Sequence, residues 1–341
     1  MLDVLKSLDE EKKAEKEVVS AGKFTHLTKA IKQWMSAWPA QSSETDTLRA
    51  SGMYYVCPRE FVFNYWQPVP NKNFDWISSI RMSLGTYLHS YLQNYVLGPM
   101  GVLWGKWLPR FDAIGDLTEG FHPDPGLSIL EIQQQRELSW TYLEKRVWHE
   151  QLRISGHMDG QVSAERIAWI LDNEKLFKSD PVEACNRLQK IDANSLCLLE
   201  IKTTGKFQFD SLRSVVDIPD YYKMQACIYQ HLSGIKDTVF WYIERDTLDS
   251  KTFVYSFERG WWNDAVRKAK VIWQYIKDER LPEVGMACKL PTDKRAKKCA
   301  FCKACFRSDF DFARYVAAGK ELAEKSGRKL LDLSSWEYEG E

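Results

Sequence analysis

With 341 residues, 44% of them hydrophobic, the chain can bury a sizeable core; it folds as one large domain with appendages or as two, without a disulfide framework. The 47 Lys and Arg balance the 47 Asp and Glu, which excludes a global field of either sign, so affinity for a polyanion has to come from a local patch. The start, Met1-Leu2-Asp3-Val4, lacks the basic, apolar pattern of a secretion signal, and no run approaches the about 18 apolar residues of a membrane span; a soluble cytoplasmic protein with no membrane partner is expected.

The Glu- and Lys-dense stretch Asp9–Glu17 suits a solvated helix and a disordered arm equally well. Ser42–Thr47 reads as a linker or helix start, after which aromatic density rises through Tyr54, Tyr55, Phe61, Phe63, Tyr65 and Trp66, where the core is expected to begin. Ile80, Leu84, Leu88, Leu92 and Val96 recur at four-residue steps, predicting one side of a helix with His89 beside the stripe. Leu138–Val162 is strand-prone, with a turn-like Ser155-Gly156 and then Met158-Asp159-Gly160, and Ile167–Leu171 reads as a partner strand.

Leu196–Lys202 is an almost continuous apolar run, the pattern of a central strand covered on both faces. A helix over Pro219–Leu232, strands over Thr238–Ile243 and Thr252–Phe257, and a helix over Trp261–Lys277 follow. No internal repeat is visible, and the longest biased stretch, Lys294–Lys298, is short and basic.

Asp159 and Glu200 fall on separate predicted strands, and Lys202 follows Glu200 with one residue between, which strand alternation puts on the same face. Two carboxylates and an ammonium suit phosphodiester hydrolysis. Hard oxygens hold Mg2+ or Mn2+, the metal polarises the phosphate and lowers the pKa of a bound water, and the ammonium orients that water or stabilises developing charge. Charges inside so apolar a strand need a reason. The plainer reading weighs about equally at this point: Glu200 and Lys202 form a local ion pair at a strand end, and Asp159 caps a turn.

Upstream stands Gly85-Thr86-Tyr87-Leu88-His89; downstream, Tyr222, Gln225 and Tyr229 lie on the helix after Lys202. The ordered set Gly85 to His89, Gly156 to Asp159, Glu200-Ile201-Lys202, then Gln225 and Tyr229 resembles the RecB-like branch of the PD-(D/E)XK nucleases. The resemblance implies an α/β, restriction-endonuclease-like core with a central mixed sheet flanked by helices, helical extensions at both ends and a cysteine-bound metal cluster. It implies that His89 is a metal ligand, that Asp159 and Glu200 bind Mg2+ or Mn2+ together with the carbonyl of Ile201, that Lys202 is the catalytic lysine, and that Gln225 and Tyr229 contact DNA or support the site. The ordinary alternatives are a lone histidine on a helix edge and two residues sharing one face of an amphipathic helix. His157, two residues before Asp159, reads as structural.

Cys299-Ala300-Phe301-Cys302-Lys303-Ala304-Cys305 packs three thiols at three-residue intervals, able to wrap an iron–sulfur cluster or a zinc ion with a fourth ligand from elsewhere. Cys57 and Cys288 compete for that place. In AddB-type helicase-nucleases and the nucleases of CRISPR adaptation, one cysteine before the first nuclease helix joins three near the C-terminus. The similarity implies Cys57, Cys299, Cys302 and Cys305 around a structural 4Fe-4S cluster, with zinc as the alternative occupant, although those families place a longer gap between the last two cysteines. Cys185, Cys197 and Cys227 read as small buried hydrophobes. Lys294, Arg295, Lys297, Lys298, Lys303 and Arg307 suit phosphate contact or a solvated loop about equally.

The expected organisation is a helical or partly disordered arm over 1–45, a nuclease core over 46–310 and a helical tail over 311–341. The expected activity is that of a metal-dependent DNA nuclease, an exonuclease acting on ends or single strands in recombination, repair, phage replication or spacer acquisition, with a recombinase, helicase or other DNA-processing protein as partner. Two alternatives stand beside it: a catalytically silent nucleic-acid-binding scaffold, and a zinc-stabilised interaction module.

Overall fold

The computed structural model describes residues 45–69, 76–98, 100–109, 118–119, 131, 140–192, 194–285 and 288–338; the expectation for Asp9–Glu17 lies outside them. The chain divides into two compact units, residues 1–43 with 70–86 and residues 44–69 with 87–341. Of the first, the described residues are 76–86, all helical. The second carries the sheets and the cores described below.

The chain runs through β1 (Leu48–Arg49), a 3-10 turn (Ala50–Tyr55) and α1 (Pro58–Trp66), whose Pro58 stands in the first turn, where a missing N–H costs nothing. Helix α2 (Trp76–Tyr91) passes into a π-helical turn, Leu92–Leu97. The predicted stripe is buried only toward its C-terminal end: Leu92 is buried, Leu88 and Val96 are half-buried, and Ile80 and Leu84 are exposed at 46% and 50%. A strict four-residue step drifts about 40° per step around a 3.6-residue helix, so those five positions do not form one straight face.

Short strands follow: β2 (Leu103–Trp104), β3 (Lys106–Pro109), β4 (Thr118–Glu119), β5 (Trp140–Leu143), β6 (Arg146–His149), β7 (Ile154–His157) and β8 (Gly160–Ser163). Ser155-Gly156 therefore lies inside a strand and not at a turn; the bend comes at Met158-Asp159. The predicted strand Ile167–Leu171 is instead part of helix α3 (Ala164–Asp172). Periodicity cannot separate a short apolar strand from a helix, and a local cap decides it: Ser163 Oγ accepts the Arg166 backbone N–H at 3.3 Å, and Glu165 stands in the first turn.

Two short helices, α4 (Glu174–Ser179) and α5 (Pro181–Gln189), lead to β9 (Leu196–Thr204), and then α6 (Lys206–Ser211), α7 (Asp220–Ser233), β10 (Asp237–Glu244), β11 (Ser250–Ser256) and α8 (Arg259–Lys277). The final helices are α9 (Cys302–Cys305) and α10 (Phe312–Ser326).

The largest sheet has the order β11-β10-β9-β8-β2, with β9 parallel to β10 and antiparallel to β8. Strand β9 is internal, as its apolar run predicts, and Leu198, Leu199 and Ile201 are buried. Two three-stranded sheets, β1-β7-β6 and β4-β3-β5, complete an α/β fold of mixed sheets flanked by helices. Helix α8 turns Trp262, Ala265, Ala269, Ile272, Trp273 and Ile276 into the core at three- and four-residue steps, and Trp273 Nε1 donates to the Leu152 carbonyl at 2.6 Å. Helix α10 comes so close to α1 that a Cβ on Gly319 would stand 2.6 Å from the Trp66 carbonyl oxygen. Among the described residues, no helix is long and apolar enough to cross a membrane.

Candidate active site

Strand β8 pairs with β9 only as far as Gly160 opposite Leu199. Beyond that point the edge of β9 is open on that side, and the Asp159 carboxylate fills the gap: Oδ2 accepts the Ile201 N–H at 2.7 Å. The N–H and C=O of a strand residue point to the same side, so the Ile201 carbonyl shares this open edge.

Glu200 is 1% exposed, and its Oε2 takes the Lys202 ammonium at 2.5 Å and the Gln225 amide at 3.3 Å. Its Oε1 is buried and has no hydrogen-bond partner among the described residues. Gln225 Nε2 also reaches the Tyr229 hydroxyl at 3.1 Å, and Lys202 Nζ lies 4.9 Å from the centre of the Tyr222 ring. Near the end of α2, His89 Nδ1 stands 3.6 Å from Asp159 Oδ1, too long for a hydrogen bond. Alternation along β9 does put Glu200 and Lys202 on one face, and the fold brings His89, Asp159, Gln225 and Tyr229 around them.

Burial sets the electrostatics. It pushes the Glu200 carboxyl up to about 7, with Asp159 adding to the rise against the pull of Lys202. Burial also raises Asp159, but the Lys202 ammonium, His89 and the Ile201 N–H outweigh it and hold this carboxyl below the ordinary range. Burial lowers Lys202, and Glu200 and Asp159 more than reverse it, so the ammonium stays charged. Two adjacent carboxylates thus have their affinities for a proton driven apart, a common mark of a reactive site.

Gln93, which the sequence reading passed over, holds the bend in place: its amide donates to the Asp159 carbonyl at 2.6 Å and to Glu144 Oε1 at 3.1 Å. It lies four residues after His89, so helical spacing from that histidine was the available signal. The π-helical turn that carries Gln93 also presents Asn94, whose side-chain oxygen accepts the Tyr142 N–H at 2.7 Å.

Among the described residues, no group of three or more His, Cys, Asp or Glu side chains is arranged to hold a metal ion as it stands. The donor chemistry nonetheless fits a hard divalent cation: the buried Glu200 carboxylate, one oxygen of which has no hydrogen-bond partner among the described residues, the part-buried Asp159 carboxylate, and the Ile201 carbonyl on the same strand edge.

All eight cysteines are free thiols. Cys57, just before α1, and Cys299, Cys302 and Cys305 line one cavity, and Cys288 lines it too, so both competitors for the fourth place are there. Burial pushes the Cys299 thiol up to about 11, with Glu60 and Cys57 adding to it. Arg59 ties this end of the chain to α1 by donating to the Cys305 carbonyl at 3.0 Å and to the Pro282 carbonyl, and Phe63 stacks on Phe301 at 5.3 Å. Of the basic residues here, Arg295 is taken by the Tyr55 carbonyl and Glu60, and Arg307 by Asp309. Cys185 and Cys227 are buried, and Cys197 is half-buried.

No family model matches the chain, and no curated protein matches it. Among solved structures it is similar to the crystal structure of SSO0001, at 14% identity and a TM-score of 0.34, covering 83% of this chain and 95% of that one. A likeness at that level says nothing about function, which is read from the side chains alone.

Proposed function

We propose that the chain is a metal-dependent DNA nuclease with a restriction-endonuclease-like core of the RecB-like branch, acting as an exonuclease on DNA ends or single strands. The observation that carries this reading is Glu200: a carboxylate buried in the central strand, with one oxygen unsatisfied, beside Asp159 and Lys202. A free carboxylate oxygen beside a second carboxylate and an ammonium suits a divalent cation.

Asp159, Glu200, the Ile201 carbonyl and His89 would hold Mg2+ or Mn2+, which when bound polarises the phosphate and lowers the pKa of a water. Lys202 keeps its ammonium charged beside Glu200, where it would orient water or neutralise charge gathering on the phosphate. Gln225 holds Glu200 and is itself held by Tyr229. Cys57, Cys299, Cys302 and Cys305 would hold a 4Fe-4S cluster, or zinc, tying the start of the core to its end; their convergence on one cavity supports a staple.

The direct 2.5 Å pair between Lys202 and Glu200 favours a second reading, a catalytically silent nucleic-acid-binding scaffold in which that pair is structural. Anaerobically purified protein incubated with Mg2+ or Mn2+ and DNA labelled at either end separates the two. Metal-dependent product ladders in the wild type that vanish in Glu200→Ala and Lys202→Ala support the nuclease and report its polarity. Intact DNA with folded, metal-loaded wild type supports the scaffold.

A further inference from the structure

The small sheet β1-β7-β6 stands next to the candidate active site, and its register sorts its side chains. Arg49 is opposite Ser155, Trp148 is opposite Ser155 from the other side, and Arg146 is opposite His157. Alternation therefore puts Arg49, Arg146, Trp148, Ser155 and His157 on one face, while Leu48, Val147 and Ile154 point into the core. An open groove of about 630 Å³ is lined by Arg49, Ser51, Arg146 and His157 and also by Gln225 and Tyr229; of these two, Gln225 bonds Glu200 and Tyr229 bonds Gln225. A second groove of about 580 Å³ shares Arg146 and His157 and continues past Lys106 and Lys145.

The arginines along this track are uncompensated among the described residues. Arg49, Arg146 and His157 are exposed, and none has an acidic partner among the described residues. No carboxylate lines the first groove, and Glu144, which lines the second, bonds Gln93. Neighbouring Arg153 shows the contrast, being paired with Asp46 at 2.8 Å. Trp148 offers no free ring for a base, since Arg146 and Arg153 lie over it at 5.4 and 5.1 Å. In a chain with no net charge, cations left unpaired beside a buried carboxylate site suit a polyanion.

The geometry points to this groove as the track for the sugar–phosphate backbone of a single DNA strand, with Arg49, Arg146 and His157 contacting its phosphates beside Gln225, the residue that bonds Glu200. The inference rests on the nuclease reading. Phosphate contacts position a strand without reading its bases, so the track accepts any sequence.

The test is binding of fluorescent oligothymidylate to the full chain, without divalent metal and over a series of salt concentrations, for wild type, Arg49→Ala, Arg146→Ala and the double variant. Each lost contact weakens binding several-fold and lowers the slope of log affinity against log salt by about 0.7. The exposed control Arg187→Ala leaves both unchanged, matching melting curves show that the variants fold, and Arg146→Lys recovers most of the affinity. With Mg2+ or Mn2+, the double variant raises KM for DNA while kcat at saturation holds. A wild type that does not bind, or a double variant with unchanged affinity and salt slope, overturns the track, and in the latter case metal-dependent cutting leaves the nuclease reading standing. Binding that depends on Arg49 and Arg146 in a protein that cuts nothing supports the track and overturns the nuclease.

Discussion

Asp159 Oδ2 accepts the backbone N–H of Ile201 at 2.7 Å, although the two residues lie 42 positions apart. Continued pairing of β8 would have set Met158 opposite Ile201; the Asp159 carboxylate takes that N–H instead, so one side chain both adds to the hydrogen bonding of the central strand and faces His89 and Lys202. Structure and chemistry meet in a single residue, and substitutions can separate them.

Asp159→Asn keeps an acceptor for the Ile201 N–H and removes the charge, whereas Asp159→Ala removes both. Urea denaturation is expected to show the alanine variant less stable by about 1–3 kcal/mol and the asparagine variant close to wild type, while DNA cutting is lost in both. Equal stabilities in all three would show that the bond contributes nothing.

Gly156 packs under Tyr229: a Cβ there would stand 2.4 Å from the ring. Gly156→Ala must displace the ring and with it the Gln225–Tyr229 bond behind Glu200, at a cost of about 1–3 kcal/mol. A lowered urea midpoint together with lowered kcat is the expected outcome, and an unchanged midpoint would mean that the ring yields freely.

Because the folded Glu200 carboxyl titrates near 7 and an ordinary glutamate near 4.5, the folded state holds the extra proton between those values. Stability of the metal-free protein should therefore fall as pH rises through that window, by at most about 3 kcal/mol, and Glu200→Gln should flatten the slope. Asp159 acts with the opposite sign and lower down: its depressed carboxyl stabilises the fold above its ordinary value of 3.8, and that contribution is lost as acid protonates it. Wild-type and Glu200→Gln curves running parallel across the window would contradict the buried, proton-holding glutamate.

On the proposed staple, Cys57→Ser loses most of the iron or zinc and melts at lower temperature, whereas Cys185→Ala keeps its metal. Metal analysis of anaerobically purified variants decides the fourth ligand directly. Full metal in Cys57→Ser with loss in Cys288→Ser would transfer that role to Cys288, which lines the same cavity.

Much of the second half of the chain was legible in advance because its elements are long or strongly patterned. Strand β9 announced itself by an unbroken apolar run, and α7, β10, β11 and α8 fall within a few residues of the predicted bounds. Short elements resisted: Ile167–Leu171 went to helix through the Ser163 cap, and Ser155-Gly156 went into a strand because β1 and β6 pair with it on either side. A turn-like dipeptide has no local defence against pairing supplied by distant segments.

What each residue can do follows from its identity and spacing: a carboxylate and an ammonium two positions apart on an apolar strand, three thiols in a basic run, an amphipathic helix with Gln225 and Tyr229 on one face. Which distant groups meet them came from tertiary folding. It ended the pairing of β8 with β9 at Gly160 and Leu199 and left the Asp159 side chain to meet Ile201, carried Cys57 to the cavity of Cys299, Cys302 and Cys305, and set Arg49 on the same face as Arg146. Strand pairing and core packing join residues hundreds of positions apart, and neither leaves a periodic trace along the chain.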